Sequence, residues 1–212
     1  MTMDGNGMEN ESHPVERISA RTFPVEKFLK LEDPARREWF PTAPVIDALT
    51  LAAGARVADI GAGTGYFAVP LAEAVGATGI VYAVDMQQPM LDFLREKLQK
   101  LGTPNITCIL GTSGATGLER ASVDLAFYCN VWHEIHEPQR ALAEATRILA
   151  PGGRIAILDW RSDVANPPGP PQDHRVSSAS LEKMLGETGW QQIAARPSGN
   201  FHYLVTATRP GK

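Results

Sequence analysis

Residues Val57 to Ala72 read VADIGAGTGYFAVPLA. An apolar run ends in a glycine-rich turn, and the turn opens an apolar pattern of helical period. Strand, tight turn and helix in this order put the turn at the carboxyl end of a strand. In an open α/β sheet that is where ligands bind, against the amides of a helix N-terminus. Outward from this stretch the alternation repeats. GIVYAVD (79–85), ITCIL (106–110), VDLAFYC (123–129) and GRIAILDW (153–160) read as strands, and QPMLDFLREKLQKL (88–101) and QRALAEATRIL (139–149) as helices. Runs this apolar predict strands buried on both faces. Repeated strand–helix units predict a doubly wound, mostly parallel α/β sheet with right-handed crossovers and helices on both faces.

The flanks are less regular. Pro24, Pro34, Pro41 and Pro44 break residues 21–50 into short helices. LEDPARREWF (31–40) predicts an amphipathic helix with Asp33 as N-cap and Pro34 in the first helical position. After the fifth strand, four prolines and a glycine fill positions 167–171 and predict extended, polyproline-like chain. SASLEKMLGETG (178–189) predicts a helix capped by Ser178 or Ser180. The closing stretch, WQQIAARPSGNFHYLVTATR, holds two strand-like runs around a turn near Pro197–Asn200, and runs joined this closely pair antiparallel.

Bulk properties narrow the class. A chain of 212 residues suits one domain with a full core. A formal net charge of −4 gives no broad electrostatic footprint for nucleic acid, and no dense Lys/Arg run stands out. Cys108 and Cys129 are too few and too far apart for a disulfide framework or a metal cluster, and read as buried thiols in a reducing cytoplasm. No segment reaches the ~18 consecutive apolar residues of a membrane span. The polar, acidic start lacks the features of a secretory signal, so residues 1–20 are expected to be a disordered tail and the protein cytoplasmic.

The glycine turn poses a choice of nucleotide. A dinucleotide fingerprint needs G-x-G-x-x-G/A. Here the glycines are Gly61, Gly63 and Gly65, and Tyr66 stands where the fingerprint wants a small residue. Asp59, two residues before the first glycine, would repel a pyrophosphate but suits an ammonium. The ligand favoured by both features is S-adenosylmethionine, which presents an ammonium, a carboxylate and a ribose. Asp85 ends the second strand, where a carboxylate can accept from ribose hydroxyls of either cofactor; its alternative reading is a helix N-cap.

At this point the sequence resembles the class I S-adenosylmethionine-dependent methyltransferases. VADIGAGTGYF looks like their first motif and VYAVDMQQPML their second; VDLAFYCNVWHEIHEP resembles the segment around their fourth strand, and ALAEATRILAPGGRIAILDW their helix, proline-glycine turn and fifth strand. Within the class the nearest look is to small-molecule enzymes of the ubiquinone/menaquinone-biosynthesis and arsenite-methyltransferase kinds. The resemblance covers roughly residues 45–208. It implies a Rossmann-like domain over 51–212, with strand order 3-2-1-4-5-7-6 and an antiparallel last strand. The cofactor-binding residues it implies are Asp59, Gly61, Ala62, Gly63, Thr64, Gly65 and Asn130 around the methionine part, Asp85 at the ribose, and Met86, Thr112 and Ser113 at the adenine. Many relatives carry an acidic residue where this chain has Thr112 and Ser113.

A sulfonium is already activated, so the protein has to align an acceptor, exclude water and take up a proton where the acceptor carries one. His133 and Glu134, just after the fourth strand, are candidates for that proton, with His136 behind them; the alternative is a set of loop residues with local hydrogen bonds. Trp132 is read as a pocket wall or as core. Asp173, His174 and Arg175 could close on a polar acceptor, with Arg175 suited to a carboxylate or phosphate. The helical segment 21–50, with Phe28, Trp39 and Phe40, is a candidate lid. Two cysteines are too few for arsenite-type chemistry. CNVWHE stands where amino-methylating enzymes acting on nucleic acid carry Asn-Pro-Pro-aromatic. The expected function is methyl transfer to a small-molecule acceptor. A non-catalytic S-adenosylmethionine-binding protein and, further off, a nicotinamide-dependent oxidoreductase are the alternatives.

Overall fold

A computed structural model describes residues 23–211 of the chain. The tail expected over 1–20 lies outside the described residues. Seven strands form one sheet: β1 Arg56–Ile60, β2 Ile80–Asp85, β3 Ile106–Leu110, β4 Val123–Cys129, β5 Leu149–Trp160, β6 Gln191–Ser198 and β7 His202–Thr208. Their order is 3-2-1-4-5-7-6, with β7 antiparallel to both neighbours. The register runs Asp59 beside Ala83 and Phe127, so the ends of β1, β2 and β4 lie together.

The helices are α1 Arg36–Trp39, α2 Ala43–Leu49, α3 Ala68–Val75, α4 Gln88–Leu101, α5 Pro138–Ile148 and α6 Ser178–Glu187, preceded by a 3₁₀ helix at Val25–Glu32. Two apolar layers cover the sheet. One joins Leu142, Ile148 and Leu181 to Ile155 and Val205; the other joins Val45, Leu49, Phe67, Leu71 and Leu94 to Val57, Val81 and Phe127. The apolar strands are buried as expected except at the edges. Thr107 and Leu110 of β3 are exposed, because β3 has a neighbour on one side only. Neither thiol is fully buried: Cys108 is half-buried on that edge strand, and Cys129 is half-buried at the end of β4.

Local details depart from the sequence reading for identifiable reasons. The Pro151-Gly152 turn lies inside β5, where a positive φ of 77° at Gly152 bulges the strand and the register to β4 shifts. The helix expected over 31–40 is shortened to α1, whose N-cap is Ala35 rather than Asp33; Asp33 Oδ1 accepts from Ala35 N–H at 3.0 Å and closes the turn before it. The cap of α6 is Ser177 rather than Ser178 or Ser180; its Oγ accepts from Ser180 N–H at 3.1 Å. Residues 21–50 divide: α2 is part of the sheet's apolar layer through Val45 and Leu49, while the 3₁₀ helix and α1 sit over the strand ends.

Gly65 has φ +81°, and a Cβ there would lie 2.4 Å from Leu94 Cδ1 of α4. Its role is to let the turn pass close beneath that helix. Gly65→Ala is expected to destabilise the protein by about 1–3 kcal/mol in urea unfolding, through the left-handed backbone and the overpacked contact together.

Candidate active site

The glycine turn is held from the next strand. Asp85, at the end of β2, accepts from Gly63 N–H (2.8 Å) through one oxygen and from Gln87 N–H (2.9 Å) through the other. Asp85 is not the N-cap of α4, a place held by Gln87; it ties the glycine turn through one oxygen and the residue that precedes α4 through the other. Each oxygen keeps a second lone pair for a ligand hydroxyl. Gly61 has φ +76°, and a Cβ on it would strike Val131 at 2.2 Å, so the segment after β4 lies directly against the turn. Across the sheet, Glu144 Oε1 accepts from Thr116 N–H (2.8 Å) and Thr116 Oγ1 (2.6 Å), which fixes the loop carrying Thr112 and Ser113.

These elements surround a cavity of about 630 Å³, a size ordinary for small-ligand pockets. Asp59, Gly61, Ala62, Gly63, Thr64, Asp85, Met86, Thr112, Ser113 and Asn130 line it, and so do His133 and Glu134. Of the predicted cofactor residues Gly65 alone lies off its wall, because its open side is taken by Leu94. His136 and His174 reach the cavity, as do Trp39 and the Pro168–Pro171 stretch. Trp132 does not: it is buried edge-on to Tyr128, ring centroids 5.3 Å apart, and belongs to the core. Phe28 packs on Phe93 and Phe40 into the apolar layer. Arg175 is spent on the carbonyls of Pro170, Arg161 and Val164, so it stiffens the proline-rich segment rather than facing an acceptor.

Three acids, Asp59, Asp85 and Glu134, line the strand-end side of the cavity, and Lys27, Lys30 and Arg36 line it from the N-terminal segment. Asp59 is buried, and its carboxyl is pushed up to about 7, first by burial and then by the nearby Asp85. Burial also raises Asp85, against the N–H groups it accepts from. Glu134 rises to about 7, chiefly through burial, while neighbouring His133 pulls it down. Glu134 Oε2 accepts from Phe23 N–H (3.3 Å), and Gln87 donates to Phe23 O (3.1 Å), so the start of the described chain is tied across the strand ends.

His133 is buried, with Nδ1 2.8 Å from Asp159 Oδ1. A carboxylate accepts, so Nδ1 carries the hydrogen and the ring is fixed in that tautomer. Asp159 also accepts from His133 N–H (3.1 Å) and Trp160 N–H (2.7 Å). Glu134 Oε1 lies 3.7 Å from His133 Nε2. The sequence reading missed Asp159, although it is the one acidic residue in the apolar run of β5 and so carried a signal.

Five buried side-chain oxygens have no partner among the described residues: Asp59 Oδ2, Thr64 Oγ1, Asn130 Oδ1 and the hydroxyls of Tyr128 and Tyr203. The first three belong to residues that line the cavity. Unpartnered buried acceptors point to a ligand that brings its own donors. An ammonium and hydroxyls satisfy that need beside Asp59 and Asp85, and a pyrophosphate does not. S-adenosylmethionine therefore fits the residues present.

Comparison with known proteins agrees. The methyltransferase domain family matches residues 58–157. The crystal structure of an S-adenosylmethionine-dependent methyltransferase from Aquifex aeolicus superposes with a TM-score of 0.84 at 31% identity, covering 89% of this chain and 100% of that one. The chain belongs to the S-adenosylmethionine-dependent methyltransferases. It is 40% identical over 118 residues to a methyltransferase of uncharacterized activity from Mycobacterium bovis, covering 55% of this chain and 44% of the relative. It is 28% identical over 165 residues to a ubiquinone/menaquinone biosynthesis C-methyltransferase from Erwinia tasmaniensis, covering 77% and 63%. The chain thus spans between about two-fifths and two-thirds of the length of these curated relatives. Insertion of a reversed β7 beside β5 is also the order that the family resemblance implied, and it differs from the 3-2-1-4-5-6 order of dinucleotide-binding folds.

The raised carboxyl of Asp59 has a thermodynamic sign. Between about pH 4 and 7 the folded protein holds a proton that the unfolded chain has lost, so this group lowers stability as pH rises through that window. Asp59→Asn is expected to raise stability at pH 8 by about 1–4 kcal/mol without ligand, and to have little effect near pH 4. The same variant should weaken S-adenosylhomocysteine binding. Urea unfolding at the two pH values and calorimetric titration check the pair of effects.

Proposed function

We propose that this chain transfers the methyl group of S-adenosylmethionine to a small-molecule acceptor in the cytoplasm. The observation that carries the reading is the continuity of the cavity. One space runs from the glycine turn to Trp39, Trp160, His133, Glu134 and the Pro168–Pro171 stretch, so a cofactor on the turn leaves room for an acceptor beside it. The bound cofactor supplies a methyl group already activated on a sulfonium. In this reading Asp59, Gly61, Ala62, Gly63, Thr64 and Asn130 hold the methionine part, Asp85 the ribose, and Met86, Thr112 and Ser113 the adenine, while Gly65 shapes the turn.

The segment over residues 23–40 acts as the lid that excludes water. Its ties to Glu134, Gln87 and, through Glu32, to Lys97 Nζ (2.9 Å) support that role. His133 and Glu134 take up the proton of an acceptor that carries one. Asp159 orients the imidazole, and Glu134 changes protonation near neutral pH. The acceptor is a free small molecule rather than nucleic acid: the chain carries a net charge of −4, and the space beside the glycine turn is a cavity of about 630 Å³.

Incubation with methyl-labelled S-adenosylmethionine and a panel of phenols, quinols, amines, thiols and carboxylic acids tests the proposal. Labelled product with matching release of S-adenosylhomocysteine is the expected result. Tight S-adenosylhomocysteine binding with no labelled product from any class would instead make this a non-catalytic binding protein. For an acceptor that loses a proton, Asp159→Asn is expected to cut turnover by about 10²-fold or more, to distort the pH profile, and to leave S-adenosylhomocysteine affinity within about twofold.

A further inference from the structure

The strap of residues 162–175, between β5 and α6, is closed on itself. Arg175 donates from Nε to Pro170 O (2.9 Å) and from Nη1 to Val164 O (2.8 Å) and Arg161 O (3.3 Å). Gln172 Nε2 donates to Ser162 O at 2.9 Å. The two ends are thereby pinned together, which makes the strap a compact Ω-type loop of fixed shape. Pro168, Gly169, Pro170, Pro171 and His174 line the cavity from it. The prolines bring no N–H, and Pro170 O is already engaged by Arg175. This side of the cavity is therefore a roof of pyrrolidine rings. Among the described residues, His174 is the only ionisable side chain that the strap adds to the cavity.

One residue sets the height of that roof. A Cβ on Gly169 would lie 2.6 Å from Trp160 Cδ2 and 2.7 Å from both Cε2 and Cε3, so the glycine backbone rests flat on the indole. Its φ lies outside the left-handed region, so the glycine serves this close approach and not a turn. The other face of Trp160 carries His202, ring centroids 4.2 Å apart, since the two groups cannot share one face at these distances. Trp160 is buried between them and yet lines the cavity, so what it shows there is an edge. Trp39, its centroid 6.0 Å away and its plane tilted by 32°, completes the wall. The lining cations lie elsewhere. Lys27, Lys30 and Arg36 come from the segment that packs on α4 through Phe28 and on the glycine turn through Leu31 and Tyr66.

We propose that Gly169 and Trp160 are the specificity-determining pair of the acceptor end: seated on each other, they hold the strap as a fixed roof that admits a flat aromatic ring and excludes a thicker saturated one. The inference rests on the methyl-transfer reading above and narrows its acceptor. The edge of an aromatic ring is the positive part of its quadrupole and packs best against the face of another ring. The edge of Trp160 meets that face, and the pyrrolidine rings with Trp39 take the apolar body. Polar groups carried by such a ring point away from the roof, toward His133 and Glu134. A roof fixed in advance costs no ordering when the acceptor binds. Entry is left to the N-terminal lid.

The test titrates two probes into the full chain saturated with S-adenosylhomocysteine. One is 2-naphthol; the other is decahydro-2-naphthol, which keeps the carbon skeleton and the hydroxyl but is neither flat nor aromatic. Calorimetry on the wild type is expected to show 2-naphthol binding tighter by about 10-fold or more. Gly169→Ala must lift the strap by about 1 Å to reach ordinary contact with Trp160. It is expected to shrink the preference to within about threefold and to leave S-adenosylhomocysteine affinity within about twofold. Arg175→Met, which frees the strap without touching Trp160, should lose the preference too, with faster hydrogen exchange at the Gly169 amide; it carries the test if Gly169→Ala does not fold. Equal affinity of the two probes for the wild type, or no binding of 2-naphthol, would overturn the inference. So would a preference that survives both variants. A matching loss of S-adenosylhomocysteine affinity would overturn it in favour of a general structural role for the strap. Wild-type protein that takes up no S-adenosylhomocysteine would overturn the cofactor reading, and the two probes titrated without it would still judge the roof by the same comparison.

Discussion

Two hydrogen bonds accepted by one side chain set the geometry on which the site depends. The Asp85 carboxylate takes the N–H of Gly63 from the glycine turn and the N–H of Gln87 from the start of α4. Both would otherwise be orphan donors at the end of a parallel sheet. By joining the exits of β1 and β2 it keeps the turn open toward the cavity. Gln87, so placed, then reaches Phe23 and begins the closure by the N-terminal segment. A carboxylate is required here because backbone donors approach it from both sides, and an amide would offer a repelling N–H to one of them.

Electrostatics around this anchor are unfavourable to the empty protein. Asp59 and Glu134 are both raised by burial beside other acids, and burial lowers the lid's Arg36. The wall is complementary to charges that the fold does not itself contain. Such sites trade stability for preorganised binding, and the ligand returns what the empty fold lacks.

The sheet, its order and the glycine turn were legible because they are written in local pattern. Apolar runs, helical periods and glycine spacing each occupy a few consecutive residues, and the family resemblance supplied the crossover order. The cavity-lining residues around the turn were legible for the same reason. What was not legible depends on distant partners. Asp159 is an isolated acid until folding brings it under His133. Arg36 reads as a solvated charge of a short helix until Tyr66 puts a ring beneath it. Arg175 has the right chemistry for an anion and loses it to three carbonyls that no periodicity foretells. Tyr66, which counted against a dinucleotide, proves to be the post on which the N-terminal segment rests.

The reversed last strand has a consequence for the order in which the protein assembles. β7 lies between β5 and β6 and places His202 in a stack with Phe40 (centroids 4.0 Å apart) on one side and Trp160 (4.2 Å) on the other. Burial pushes that imidazole down to about 3, so it stays neutral and packs as an aromatic ring. Residue 40 therefore rests on residue 202, across nearly the whole chain. During synthesis the central strands can pair as they emerge, but the N-terminal cover lacks its support on His202 until β7 has arrived. Contacts of such long sequence separation form late, and the cover should also be among the first parts to open in the native state. The segment that must admit the ligand is thus the one the fold leaves least committed.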